Sequence, residues 1–293
     1  MKDPRFLSKY EIKVNVPLAP FTSIGVGGNA DFLVEVADLK MFKAVLKAAE
    51  ENGLKTVVIG KGTNSVFSDH GYRGLVIINR IIDLEIGPDT VTVGSGLGVT
   101  ELIHHLAEEG RGGFEGMVSL PGSVGGAVWG NSGVGSDGIS TYLESASLYS
   151  KGRILEVGSV DLEFGYRDSR LKRTGEQVAS ATLRVQTKPV DDIKKIILAA
   201  THARLRDRPG ASKAVKIFRD PLPETAAGLA SQLDLAGECV GGAMISSKNP
   251  NYIINTGTAR AAEVYELAQR IKHRVSVKLG KHLREEVVWL GEW

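Results

Sequence analysis

Residues 113–133 read GFEGMVSLPGSVGGAVWGNSG; seven of the 21 are glycine, and Pro121 sits among them. Ser119, Ser123, Asn131 and Ser132 punctuate the apolar positions. An interior glycine costs a helix or strand roughly 0.5–1 kcal/mol relative to alanine, so this density does not belong to an ordinary long element. Close approach of the backbone to a neighbour, with N–H groups turned towards it, offsets such a cost. A run of such N–H groups, or a helix N-terminus, binds anions. Two readings are open here: a cradle for the diphosphate of a dinucleotide, or a loop packed tightly for structural reasons.

Upstream, residues 1–20 read as a short helix or arm ending at Pro17 and Pro20. Gly25, Gly27 and Gly28 form a turn into a strand over 31–36, and Asp38 is placed to cap the next helix. Phe42, Val45, Leu46 and Ala49 recur at helical spacing until Asn52-Gly53. The strand over 55–59 (KTVVI) runs directly into GKGTNSVFSD at 60–69, a second cradle signal, and another strand covers 74–78. Short strands between 82 and 93 break at Gly87-Pro88-Asp89, and Thr100 is placed to cap a helix that stops at Gly110.

Downstream, segments 145–150 and 153–157 predict a hairpin around Lys151-Gly152, and 177–185 a further strand. Asp191 and Asp192 open a helix with Ile193, Ile196, Ile197 and Ala200 as its apolar positions. Its basic end, Arg204, Arg206 and Arg208, reads equally as a solvated terminus or an anion contact. Strands over 216–218, 243–246, 252–254 and 286–290 flank helices over 224–233 and 260–277, the latter with Val264, Leu267, Ile271 and Val275 on one face. Boundaries near 80 and 188 divide the chain into 1–80, 81–187 and 188–293.

The 293 residues suffice for two or three domains of roughly 100–200 residues each. Glycine, 35 of 293, is about 12%, against a usual ~7%. A net charge of +2 makes no case for a nucleic-acid or membrane partner. The single cysteine, Cys239, excludes an internal disulfide framework and a multi-cysteine metal or iron–sulfur centre; it is expected to be buried and inert. With no signal-like apolar segment, a cytoplasmic location is expected.

GVGG at 25–28 is a weak glycine pattern, and GKGTNS lacks Walker A spacing because Lys61 precedes Gly62 and Thr63. His104-His105 shows no metal-ligand spacing and is expected on a solvated helix face, so no metal is assigned.

VVIGKGTNSVFSDHGYRGLVI (57–77), the central stretch, GYRDSR (165–170), GGAMIS with NYIINTGTARAAEV (241–264) and LREEVVWLG (283–291) occur in that order. Together they resemble the UDP-N-acetylenolpyruvoylglucosamine reductase (MurB) family, in its shorter subtype. The resemblance spans residues 16–291. It implies an α+β flavoprotein of the vanillyl-alcohol-oxidase/PCMH-type FAD-binding fold. Two α/β subdomains hold non-covalent FAD, and a C-terminal α+β domain binds substrate. NADPH reduces the flavin, hydride then passes to C3 of an enolpyruvyl UDP-sugar, and C2 is protonated. A small-molecule substrate, no nucleic acid or membrane, and a monomer are expected.

Carried over by residue, the cofactor loops are Gly60, Lys61, Gly62, Thr63, Asn64, Ser65 and Val66, and Pro121, Gly122, Ser123, Gly125 and Gly126, with Asn131 and Val178. The bare amides of Gly60, Gly62, Gly122, Gly125 and Gly126 suit a diphosphate. Arg167 is expected to fork onto the substrate carboxylate and support the enolate, Tyr166 to touch substrate or pack, and Glu286 to position or protonate the intermediate.

The chain also departs from the family. In KIFRDP (216–221), Lys216 stands where the family has the proton-donating serine, and Asp220 where it has an asparagine expected to contact substrate. Val288 replaces a common arginine, and VGS at 134–136 replaces a tyrosine-bearing AYG. A lysine donates a proton and its ammonium stabilises an enolate, so Lys216 is expected to be the acid. The alternatives are a paralogue that keeps FAD with altered or lost reductase activity, and a sugar-nucleotide-binding protein with no redox role.

Overall fold

A computed structural model of the chain describes residues 10–135 and 137–293. The chain divides into two units, neither continuous in sequence. The first comprises residues up to Val14, Phe32–Lys61 and Gly74–Ala203; the second comprises Asn15–Asp31, Gly62–Arg73 and Arg204–Trp293.

The first unit contains two apolar cores. In one, the helix Leu39–Glu51 begins where the Asp38 carboxylate accepts the Met41 N–H at 2.7 Å. It buries Phe42, Val45, Leu46 and Ala49 with Leu75 and Ile77. The strand Thr56–Ile59 after this helix pairs in parallel with Leu75–Ile78, as a strand–helix–strand crossover requires. A four-stranded sheet results, in the order Lys13–Pro17, Asn29–Val36, Tyr72–Asn79, Thr56–Ile59.

The other core lies on a five-stranded antiparallel sheet ordered Arg153–Gly158, Leu143–Ser150, Gln177–Arg184, Thr90–Gly94, Leu84–Ile86. Val91 and Val93 point inwards, and Thr92 on the other face meets Thr182 Oγ1 at 3.1 Å. The predicted hairpin forms, with Lys151 (φ 45°) and Gly152 (φ 76°) both left-handed, which matches the strand twist. The helix Val99–Glu108 packs on this core through Leu102, Ile103 and Leu106. Thr100 does not cap it: Gly98 precedes the helix, and Glu101 accepts the Gly98 N–H at 3.1 Å. The Thr100 hydroxyl lies within 2.5 and 3.1 Å of the Val118 and Leu120 carbonyls, tying the helix to the glycine-rich stretch.

The second unit has one core. A four-stranded antiparallel sheet runs Ala214–Lys216, Tyr252–Asn255, Ala243–Ile245, Cys239–Val240. Ala261–Leu279 lays Val264, Leu267, Ile271 and Val275 into this core with Val215, Ile217 and Phe218. Both oxygens of the Asp69 carboxylate accept the first amides of this helix, Ala261 at 2.8 Å and Ala262 at 2.9 Å. Val288–Leu290 pairs in parallel with Ser65–Phe67, distant in sequence.

Two expectations are corrected. Cys239 is exposed: it occupies a two-residue edge strand, and its thiol lies 3.3 Å from the Gly237 carbonyl. Residues 13–17 of the expected helix or arm form a strand, and a short 3-10 turn follows at Ala19–Phe21; residues 1–9 lie outside the described residues. Among the described residues, no helix is long and apolar enough to cross a membrane.

Candidate active site

In the first unit the glycine-rich stretch is neither one long element nor only loop. Val124–Gly130 is a seven-residue helix whose N-cap, Ser123, accepts the Gly126 N–H at 3.3 Å. The Gly125 N–H donates to the Ser95 carbonyl at 2.8 Å. The Gly125 and Gly126 amides are thus engaged within the chain. The Gly122 carbonyl accepts the Val99 N–H at 3.0 Å, and Pro121 is exposed.

The two open readings of the glycines separate by position. A Cβ on Gly60 would collide with Ser123 Oγ, and one on Gly125 would come within 2.8 Å of Ser95 Cβ. The chain itself demands glycine at both. Gly126 is different: it is exposed, and an added Cβ would meet only Ser123 Oγ at 3.4 Å, an ordinary contact. Glycine within a helix costs about 1 kcal/mol relative to alanine. Nothing in the chain's own packing requires glycine at Gly126.

Lys61 is paired with Glu101. Its ammonium lies 3.0 and 3.1 Å from the two oxygens of Glu101. Hydrogen bonding from Lys61, against a cost of burial, holds the Glu101 carboxyl below the usual range. Val178 is buried in the core opposite Leu148.

Asn131 and Arg167 form one constellation. Asn131 ends the short helix in the left-handed region at φ 44°. Its Nδ2 donates to the Gly165 carbonyl at 2.8 Å and its Oδ1 accepts the Ser140 N–H at 3.2 Å. Asn131 therefore acts here as a clamp between two loops. The Arg167 guanidinium donates to the carbonyls of Asn131 at 3.3 Å and Gly133 at 2.7 Å, and lies 5.3 Å from the Tyr166 ring centroid. Lys172 fixes the Arg167 backbone by donating to its carbonyl at 2.6 Å. Ser169 Oγ, buried, donates to the Trp129 carbonyl at 2.7 Å and anchors the same turn.

In the second unit, Lys216, Asp220 and Glu286 come together. Lys216 Nζ lies 3.1 Å from Asp220 Oδ2 and 3.7 Å from Glu286 Oε2. Burial works against its charge, yet Glu286 and Asp220 outweigh this and hold the Lys216 pKa above the ordinary lysine value. The group is an ammonium at neutral pH. Asn64 positions Glu286: its Nδ2 donates to the Glu286 carbonyl at 2.8 Å, and its own carbonyl accepts the Val288 N–H at 2.9 Å. Gly62 is left-handed at φ 64°, and a Cβ there would strike the Phe21 carbonyl. Thr63 and Ser65 are half-buried, whereas the Val66 side chain is in the core.

Sequence reading missed Asn251. This buried amide donates to the Phe218 carbonyl and accepts the Phe218 N–H, both at 2.9 Å, fixing the backbone between Lys216 and Asp220. No local pattern marks it, because its partner lies 33 residues away. Tyr252 is a second omission, directly across the strand pair from Lys216.

A model for an FAD binding domain matches residues 30–158. A model for the C-terminal domain of UDP-N-acetylenolpyruvoylglucosamine reductase matches residues 208–290. The crystal structure of UDP-N-acetylenolpyruvylglucosamine reductase from Thermus caldophilus superposes with a TM-score of 0.82 at 29% identity, covering 96% of this chain and 99% of that one. Fold and domain matches thus define the class, an FAD-binding protein of the PCMH-type fold with a second, α+β domain. The chain is 34% identical over 292 residues to the UDP-N-acetylenolpyruvoylglucosamine reductase of Halalkalibacterium halodurans, covering 98% of this chain and 97% of the relative. It is 34% identical over 286 residues to that of Bacillus subtilis, covering 96% and 94%. The chain belongs to the UDP-N-acetylenolpyruvoylglucosamine reductase family.

Proposed function

We propose that this chain is an FAD-dependent, NADPH-driven oxidoreductase that reduces UDP-N-acetylglucosamine enolpyruvate to UDP-N-acetylmuramate, a step of peptidoglycan precursor synthesis. We propose segments 1–80 and 81–187 as the flavin-binding subdomains and 188–293 as the substrate domain. The glycine at Gly126, which the chain's own packing does not demand, supports a flavin cradle. Bound FAD supplies two-electron chemistry, accepting hydride from NADPH and giving it to C3 of the enolpyruvyl group.

The protein's own residues supply the rest. Arg167, braced on two backbone carbonyls, presents fixed positive charge for the substrate carboxylate and for the charge that grows on it as C2 becomes electron-rich. Lys216 gives its proton to C2, and Glu286 steadies the ammonium before transfer. The observation that carries the reading is the Lys216 ammonium within reach of both Asp220 and Glu286. It stands where the family resemblance puts the proton donor.

The test is NADPH oxidation by the flavin-loaded protein with and without the enolpyruvyl sugar nucleotide, with the product identified by mass. Substrate-dependent oxidation yielding a product two mass units heavier is expected. Flavin reduction by NADPH with no substrate dependence favours a family member of altered substrate, and purification without flavin removes the redox reading altogether.

A further inference from the structure

Asp220 does more than its expected substrate contact accounts for. Its two carboxylate oxygens are committed in different directions, Oδ2 to Lys216 Nζ at 3.1 Å and Oδ1 to the Ala226 N–H at 2.9 Å. The second bond ties the carboxylate to the first residue of the helix Ala226–Ser231, so the anion is fixed on both sides. We propose that Asp220 is a positioning residue that holds Lys216 in place as an ammonium, and that the two form one charge-balanced unit. This rests on reading Lys216 as the acid.

The surroundings of Lys216 leave Asp220 a distinct role. Glu286 faces the ammonium from the segment leading into Val288–Leu290, at 3.7 Å, and contributes field but no hydrogen bond. Tyr252 faces it from the neighbouring strand, and Arg204 Nη2 donates to the Tyr252 hydroxyl at 3.4 Å. Of the two carboxylates, Asp220 is the one hydrogen-bonded to the ammonium. A charge-assisted hydrogen bond sets direction as well as energy.

Removing the Asp220 charge alone leaves a half-buried ammonium with less to offset its burial. Removing Lys216 alone leaves two carboxylates where an anionic substrate must sit. Removing both leaves the net charge unchanged. The pair therefore predicts non-additivity, the signature of interacting groups. Asp220→Asn is the cleanest single change: the amide oxygen still accepts from Ala226, so the helix contact survives while the charge goes.

The experiment has two arms, both on the flavin-loaded protein. In the first, amines are acetylated with an N-hydroxysuccinimide ester across pH 7–10.5, and Lys216 is followed by peptide mass spectrometry, with exposed Lys151 as internal reference. The pH dependence of Lys216 labelling is expected to move to lower pH in Asp220→Asn, raising the rate at pH 8.5 at least fivefold, with Lys151 unchanged. An unmoved profile overturns the proposal. In the second arm, kcat/KM is measured for Lys216→Ala, Asp220→Asn and the double variant. Each single is expected to lose at least tenfold, and the double to lose at least fivefold less than the product of the singles; a loss equal to that product overturns the coupling. Labelling needs no turnover, so the proposal is decided even if the wild-type protein fails to reduce the enolpyruvyl substrate, a failure that would count against the reductase reading instead.

Discussion

Arg167 is fixed from several directions within the first unit. Its guanidinium is held by two carbonyls and its own carbonyl by Lys172, with the backbone in the left-handed region at φ 54°. A lysine there keeps the charge and loses the fork. Arg167→Lys is expected to lower kcat by ~100-fold, the scale of a lost electrostatic donor, with KM for NADPH unchanged in steady-state assays. The residue motif GYRDSR was legible in the sequence, and so was the odd lysine of KIFRDP. The partners were not. Asn131 reads as a cofactor contact because it follows the glycine-rich run, whereas its side chain clamps Gly165 and Ser140. Asn64 reads the same way, and its side chain holds the Glu286 carbonyl across 222 residues of sequence. Hydrogen bonds between distant segments leave no local pattern, which is why Asn251 went unseen.

Several elements with local causes were legible. Asp38 caps its helix, Lys151-Gly152 turns its hairpin, and the apolar spacing of residues 264–275 places one helix face in the core. Elements set by tertiary pairing were not. The parallel pairing of Val288–Leu290 with Ser65–Phe67, and the edge position that exposes Cys239, depend on segments far away in sequence. The short helix Val124–Gly130 sits between these cases, since the glycines in it and against its N-cap have two different causes. That difference is testable. Gly60→Ala drives a Cβ into Ser123 Oγ, the atom that caps the short helix, and is expected to destabilise the protein by about 2 kcal/mol in denaturant titrations. Gly126→Ala gains helix propensity and meets no tight contact, so the flavin-free protein should keep or raise its melting temperature. FAD affinity, measured by fluorescence quenching, should fall at least tenfold. Gly126→Ala with unchanged FAD affinity would remove the cradle from this helix.

At the scale of the molecule, ion pairs that fold the second unit set a limit at low pH. Burial opposes the charge of Glu285, but hydrogen bonds from Lys272 at 2.9 Å and Gln269 at 3.1 Å, with Trp289 beyond them, prevail and hold its carboxyl below the usual range. A folded-state value below the unfolded one gives stability that is present above about pH 4.5 and is lost as pH falls through the folded value. Melting temperature is therefore expected to drop as the protein is acidified below that point, and Glu285→Gln to flatten part of the drop while lowering stability at pH 7. Stability contributed by Lys216, whose pKa is raised, has the opposite sign: it is intact at neutral pH and is lost only above the ordinary lysine value.

Anaerobic stopped flow reaches the proposed proton delivery by the Lys216 ammonium directly. The flavin-loaded protein is reduced with one equivalent of NADPH, mixed with the enolpyruvyl sugar nucleotide, and followed through the flavin absorbance bands. Rapid reoxidation is expected in the wild type, slowed ~100-fold in Lys216→Ala while substrate still binds. Reoxidation at the same rate in both proteins would contradict the assignment of Lys216 as the proton donor.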